Sequence, residues 1–352
     1  MKTGITLLIL ALFISGCQLP GKNKSADDKK PGQTIEEKTI ITARNACILS
    51  EISYCSNPEN KLEEYLPGWK IVWKPVAVGG NFAFVASNGS IYAISIRGSL
   101  LEFSEAALSN WIYNDLNVAK QIDWNYADSG SNARIAAGAY AGWENMNKLT
   151  DSSLGKNLWD FLKTIPRDAP VVITGHSLGG NLASVYASYL SWQWKQEGHP
   201  RTKMNVITFA APAAGNDAFV KNFDNAFPNS LRIENSNDIV PKFPVTERIK
   251  GLGNLFSPVP AASSIPVGYK NLTVDLSNIF SIMSTAMNLL RITNGISPYV
   301  QTNGEGMIIT IPLSGKNNSN SATDWFAEAG YQHGMAQYAK AFDAPVIECD
   351  SK

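Results

Sequence analysis

Between Val171 and Ala187 the chain changes character twice within a few residues. An apolar, β-branched run, Val171-Val172-Ile173-Thr174, ends in Gly175-His176-Ser177-Leu178-Gly179-Gly180, and the helix-forming run Asn181-Leu182-Ala183-Ser184-Val185-Tyr186-Ala187 follows at once. That succession predicts a strand, a tight turn and a helix, with Ser177 at the corner. A corner this sharp forces the serine into a strained backbone conformation and lifts its hydroxyl to the top of a sheet. Gly175 and Gly179 are needed because a Cβ at either place would collide with the crossing strand or helix. Ser177 is therefore the first candidate nucleophile.

The rest of the chain narrows what surrounds that corner. With 352 residues, 44% of them hydrophobic, it can bury one large core or two modest ones. A formal net charge of zero gives no electrostatic case for binding nucleic acid. Three histidines and four cysteines form neither a CxxC pair nor an HExxH spacing, which argues against a metal enzyme.

Residues Ile40 to Leu66 read as an N-terminal helix and turn containing Cys47, Tyr54 and Cys55. Strands are expected at Trp69 to Trp73, Phe82 to Ala86 and Ile91 to Ile96, the last two joined by the hairpin signal Asn88-Gly89. A helical stretch ending in Trp159-Asp160-Phe161-Leu162 precedes the strand at Val171, and strands at Asn205 to Phe209 and Ser230 to Ile233 follow. An antiparallel start followed by strand-helix alternation predicts one α/β domain, beginning near Ile35 and running to Lys352, with a mostly parallel mixed sheet flanked by helices.

A serine hydroxyl needs a base to take its proton, and that base is usually an imidazole oriented by a carboxylate. His176 neighbours Ser177 on the corner, so its side chain is expected to point elsewhere and to be packed or bonded locally. His199 lies in Glu197-Gly198-His199-Pro200, on a return along the bottom of the sheet. His333 remains, in a loop Gly330-Tyr331-Gln332-His333-Gly334 before a helical stretch from Met335 to Phe342. For the acid, Asp238 in Asn235-Ser236-Asn237-Asp238-Ile239-Val240-Pro241 follows a strand at the top edge, whereas Asp217 and Asp224 sit in a helix-like run. The order Ser177, Asp238, His333 is that of an α/β-hydrolase. Two oxyanion donors are also required: the N–H of Leu178, just after the nucleophile, and Ser99 in the loop Arg97-Gly98-Ser99 after an early strand.

The N-terminus is a targeting segment. Lys2 provides a positive start, and Ile5 to Ile14 form an apolar run of about ten residues, half of what a bilayer span needs. It ends in Ile14-Ser15-Gly16-Cys17, which resembles the lipobox of bacterial lipoproteins. Residues 1–16 are then a signal peptide, and Cys17 is lipidated, holding the protein on a membrane. Gln18 after the cysteine favours an outer-membrane address in a cell that has one. Residues 17–34, rich in Lys, Asp, Pro and Gly, read as a flexible tether.

Taken together, Ile96-Arg97-Gly98-Ser99, Asn110-Trp111-Ile112, Gly175 to Gly180, Phe209-Ala210-Ala211-Pro212, Asn237 to Pro241, and His333 with Tyr338 resemble the class 3, fungal-lipase-like branch of the α/β-hydrolases. The resemblance runs from about Ala43 to Phe342. It implies hydrolysis of triacylglycerol or related lipid esters, with phospholipase A1 or short-chain esterase activity as alternatives within the class. It also implies work at a membrane or lipid interface and no cofactor, and it leaves the oligomeric state open. A non-catalytic binding lipoprotein on the same fold is the reading from another class. The sequence departs from the pattern at Ala136-Ala137-Gly138-Ala139, where the family often has a histidine and an aromatic around the glycine. The stretch between Asp238 and His333 is also unusually long.

The resemblance further implies a helical lid after the oxyanion loop. The run Ser109 to Leu116 fits, with Ser109 as N-cap and Trp111, Ile112 and Leu116 as its apolar content. An insertion spans about residues 245–305. Within it Leu276, Ile279, Phe280, Met283, Met287 and Leu290 recur at helical spacing opposite a polar, uncharged face of Ser277, Asn278, Ser281, Ser284 and Asn288. That stripe is expected to be core, with a cap over the acyl site or a membrane-facing helix as alternatives. Three cysteines remain beyond Cys17. Cys55 with Cys349 would staple the ends of the domain, as the resemblance implies from Tyr54-Cys55; Cys47 with Cys55 is the local alternative.

Overall fold

Six consecutive buried residues, Val171 to His176, form the centre of the structure, a computed structural model that describes residues 40–99, 117–269, 272–304 and 306–349. The expected signal segment, Cys17 with its expected tether, and the residues expected in a lid, Ser109, Trp111, Ile112 and Leu116, lie outside the described residues.

The chain opens with helices α1 (Ala43–Ile52) and α2 (Pro58–Tyr65), then strands β1 (Lys70–Trp73), β2 (Ala83–Ser87) and β3 (Tyr92–Ile96). Strands β4 (Gln121–Asp123) and β5 (Arg134–Ala136) lead to helix α3 (Ala137–Lys148), a small hairpin of β6 (Thr150–Asp151) and β7 (Lys156–Asn157), and the short α4 (Leu158–Leu162). The strand-helix alternation comes next: β8 (Val171–His176), α5 (Leu178–Gln196), β9 (Met204–Phe209), β10 (Gly215–Asn216), α6 (Asp217–Ala226) and β11 (Leu231–Asn235). The last part holds α7 (Thr246–Lys250), the hairpin β12 (Pro266–Tyr269) and β13 (Leu272–Asp275), α8 (Leu276–Asn294), β14 (Tyr299–Val300), β15 (Met307–Ile309), α9 (Ala322–His333) and α10 (Met335–Ala341).

The main sheet runs β1-β2-β3-β8-β9-β11-β15. The first two pairings are antiparallel and every pairing from β3 onward is parallel. Successive side chains alternate between its two faces. Ile94, Val171, Ile173 and Val206 join one apolar cluster with α3 and α5. Ala93, Val172, Ile207 and Ile233 join the other with α1 and α10. With both faces covered, β8 reads as an unbroken apolar run, as the sequence does. A second, antiparallel sheet, β14-β10-β5-β4, was not foreseen, nor was β15. Each of these strands is two or three residues long, too short to show a period of two.

Two local expectations are corrected. His333 is not in a loop but is the last residue of α9, whose N-cap Ser321 accepts the Asp324 N–H. Ser284 is not on the outer face of the insertion helix α8; it is buried and donates to the Thr246 carbonyl at 2.9 Å. The apolar stripe of α8 faces inward, where Phe280 packs on Trp325 with ring centroids 5.1 Å apart. Ile279, Met283 and Met287 lean partly buried on the same core. Asp275 caps the start of α8 by accepting from Asn278, and Gly295 at φ 63° ends it.

Candidate active site

Ser177 joins β8 to α5 with φ 59° and ψ −129°, a conformation that a non-glycine residue holds only where its surroundings fix it. The fixing is by backbone. The Ser177 N–H donates to the Phe209 carbonyl at 2.9 Å, tying the corner to β9. A Cβ on Gly175 would lie 2.4 Å from the Gly179 carbonyl oxygen, and one on Gly179 only 2.1 Å from that of Ile96. The corner therefore closes only with glycines on both sides. The Ser177 hydroxyl is buried and has no hydrogen-bond partner among the described residues.

The loop after β3 lies directly against this corner. A Cβ on Gly98 would meet the Tyr54 hydroxyl at 2.3 Å, the His176 carbonyl at 2.5 Å and the Ser177 Cβ at 3.2 Å. Ser99, half-buried, follows Gly98. Leu178 opens α5, and the first N–H groups of a helix have no intrahelical acceptor and point outward from its start.

Asp238 is fully buried just past β11. Its carboxylate receives His333 Nδ1–H at 2.9 Å on Oδ2 and 3.1 Å on Oδ1, the Tyr338 hydroxyl at 2.8 Å, and the Val240 N–H at 2.9 Å. Because a carboxylate only accepts, the His333 proton sits on Nδ1 and its accepting lone pair on Nε2. Burial, and then the Asp238 charge, push the Tyr338 phenol well above its ordinary range, so it stays a donor. Tyr338 also accepts the Asn235 N–H at 3.0 Å, and Asn235 donates to the Gln332 carbonyl at 3.0 Å. The residues flanking His333 are thus tied to the end of β11.

His176 does not point away from the site, as its position on the corner led us to expect. Its ring lies 4.5 Å from that of His333. Its Nε2 is 2.9 Å from the His333 carbonyl oxygen, which can only accept, so Nε2 carries the proton and Nδ1 accepts the Tyr54 hydroxyl at 2.8 Å. Burial, then the neighbouring His333, hold the His176 pKa well below the usual imidazole value. It is a neutral strut between Tyr54 and the backbone of His333. Tyr54 was quoted from the sequence only beside Cys55; no local signal joins it to a histidine 122 residues away.

The other candidates fall elsewhere. His199 is exposed beside Arg167. Asp217 pairs with Lys221 at the surface, and Asp224 accepts the Asn303 N–H at 2.8 Å. Cys55 and Cys349 form a disulfide, leaving Cys47 buried as a free thiol. Among the described residues no group of three His, Cys, Asp or Glu is arranged to hold a metal ion, and no helix is long and apolar enough to cross a membrane.

A parallel-centred sheet with a strained serine between β8 and α5, an Asp just past β11 paired with the His that ends α9, and that chain order define an α/β-hydrolase fold. Comparison with known proteins is more specific. A family model described as lipase (class 3) matches residues 93–248, a stretch that includes Ser177 and Asp238. A lipase of Caenorhabditis elegans is 37% identical over 78 residues, 22% of this chain and 21% of its own length. The secreted mono- and diacylglycerol lipase 1 of Fusarium solani is 27% identical over 164 residues, 46% of this chain and 42% of its own. This chain thus spans less than half the length of these curated relatives. Among solved structures, the crystal structure of M37 lipase superposes with a TM-score of 0.67 at 24% identity, covering 87% of this chain and 95% of that one.

Proposed function

We propose that this protein is a serine hydrolase of lipid carboxylic esters, working through an acyl-enzyme on Ser177. The observation that carries the reading is the buried Asp238–His333 pair at 2.9 Å, with the His333 ring 4.5 Å from that of His176, the neighbour of a serine whose backbone is strained at φ 59°. The class 3 lipase match over residues 93–248 supports lipid esters as the substrate class.

In this mechanism His333 Nε2 takes the Ser177 proton as Oγ attacks the ester carbonyl carbon. The N–H of Leu178 and the Ser99 loop hold the resulting oxyanion. The carbon–oxygen bond to the alcohol then breaks, and His333 returns the proton to the departing oxygen. Water repeats the sequence, with His333 taking its proton, and releases the fatty acid and free serine. Asp238 keeps the imidazole in the Nδ1–H tautomer throughout and stabilises it when protonated.

Phospholipase A1 activity is the second reading, supported by a phospholipase A1-II of Oryza sativa that is 38% identical over 79 residues, 22% of this chain and 19% of its own length. The lipobox-like Ile14 to Cys17 supports an enzyme tethered to the cell envelope. The test is fatty-acid release from triglyceride emulsion and from phospholipid vesicles, comparing the protein with Ser177→Ala. Loss of the nucleophile is expected to lower turnover on the order of 10⁶-fold, and the preferred substrate names the activity. Equal inertness of both proteins, with no labelling by a fluorophosphonate, would move the binding-lipoprotein reading ahead.

A further inference from the structure

Shortly beyond Asp238 stands Lys242, half-buried at the end of a single turn of 3-10 helix, Val240–Lys242. Its Nζ donates to the Ser236 carbonyl at 2.8 Å. The same stretch is anchored to the last strand and its extension. The Ser236 N–H donates to the Ile309 carbonyl at 2.8 Å, and Asn237 Nδ2 donates to that of Ile311 at 2.8 Å. The Asp238 N–H donates to the Asn235 carbonyl at 2.9 Å. Lys242 is thus one of the ties on the turn that carries Asp238.

The charges around this ammonium are unevenly shared. Glu234 on β11 pairs with both Arg232 and Arg248, and Arg248 on α7 also donates to the Pro241 carbonyl at 3.1 Å. Glu234 is therefore taken, and Asp238 is the carboxylate whose charge holds the proton on Lys242. Asp238 in turn meets His333 from α9 and Tyr338 from α10, and the Tyr338 phenol stays protonated. Burial lowers the Lys242 pKa to about 8; Asp238 resists that shift and Arg248 adds to it. A methionine would fill the same space without the cost of a half-buried ammonium, so packing alone does not call for a lysine here.

We propose that Lys242 is a positioning residue for the base: it ties down the Asp238 turn, and its ammonium keeps the Asp238–His333 pair as carboxylate and neutral imidazole in acid medium. The physical cause is repulsion between like charges. His333 takes the Ser177 proton only while its Nε2 is free, and a protonated imidazole sets a second cation beside Asp238. With Lys242 charged, that second cation is costlier, so the base survives to lower pH than it would alone. This rests on the ester-hydrolase reading above and adds the residue that sets the acid limit of the reaction.

The experiment is the pH profile of kcat/KM for p-nitrophenyl butyrate from pH 5 to pH 10, in wild type, Lys242→Met, Lys242→Gln and Lys242→Arg. Removing the charge is expected to move the acid limb up by about one unit, so that below it both neutral variants are about tenfold slower than wild type. Toward pH 10 the gap between wild type and Lys242→Gln is expected to close, because Lys242 has by then lost its own proton. Lys242→Arg keeps the charge and with it the wild-type limb. A limb that stays in place in both neutral variants, or a deficit equal at every pH, makes Lys242 a packing residue and overturns the proposal. If Lys242→Met fails to fold, Lys242→Gln, which keeps a donor for the Ser236 carbonyl, decides alone. Should Ser177→Ala retain wild-type hydrolysis, the underlying reading fails instead, so the two failures are separable.

Discussion

The two halves of the site are built by different means. Ser177 is held by backbone: a hydrogen bond from its own N–H to Phe209, and glycines at 175 and 179 that let chain pass chain. His333 is held by side chains, with Asp238 and Tyr338 on one side and His176 and Tyr54 on the other. Backbone clashes are absolute within a few tenths of an ångström, whereas a side-chain network degrades bond by bond. The nucleophile should therefore tolerate almost nothing, and the base should lose function in steps.

The largest step is expected at the bond that sets the tautomer. In Asp238→Asn the amide NH₂ turned toward His333 would donate, driving the imidazole proton onto Nε2, where it cannot accept from Ser177. The expected fall in kcat is on the order of 10⁴-fold with the fold kept, measured with a soluble ester beside a thermal melt. On the other side of the comparison, Gly179→Ala sets a Cβ 2.1 Å from the Ile96 carbonyl oxygen, a main-chain atom of the neighbouring strand. A destabilisation beyond about 4 kcal/mol is expected by denaturant unfolding. A variant as stable as wild type would show that the corner is softer than its geometry implies.

The same contrast explains what the sequence made legible. The corner, the flanking strand and helix, and the Asn88-Gly89 turn are each written within a few adjacent residues, because local sterics decide them. His333 and Asp238 emerged by elimination among few histidines and by topology, without their contact being visible. Tyr54 and His176 did not emerge as supports, because their bond spans 122 residues and rests on where α1 docks. That docking is set by Ser95 and Ser50, which bond the Leu49 carbonyl and Thr174 at 2.8 and 2.9 Å. The edge strand β15 escaped notice because its three residues, Met307–Ile309, are too few to show a period of two. The disulfide stood as one of two possible pairings, since residues 55 and 349 meet only through the closed fold.

Glu51 gives the side-chain-held half a pH dependence. Burial raises its pKa from 4.5 to about 7, with the Ile347 N–H opposing. Between those values the folded protein keeps a proton that the unfolded chain releases, so its contribution to stability is greatest below pH 4.5 and falls as pH rises through 7. The expected loss across that window is up to about 3 kcal/mol. Melts of wild type and Glu51→Gln at pH 5 and pH 8 should differ by that amount in their pH dependence, with the variant flatter. Parallel curves would mean that the carboxyl stays hydrated in the folded protein.

The smallest effect should come from the outermost support, and it discriminates best. Tyr54→Phe keeps the ring and removes the donor to His176 Nδ1. The imidazole cannot answer by switching tautomer, because Nε2 would then face the His333 carbonyl lone pair to lone pair. His176 is left with one bond where it had two, and the peptide of His333 loses part of what fixes it. The lost bond amounts to about 1 kcal/mol, and if it acts through the base it appears as a roughly fivefold lower kcat with KM nearly unchanged. Labelling of Ser177 by a fluorophosphonate should slow by the same factor, since that reaction also needs the base. A role confined to packing would instead lower the melting temperature and leave both rates alone, and the side-chain network would then end at Asp238 and Tyr338.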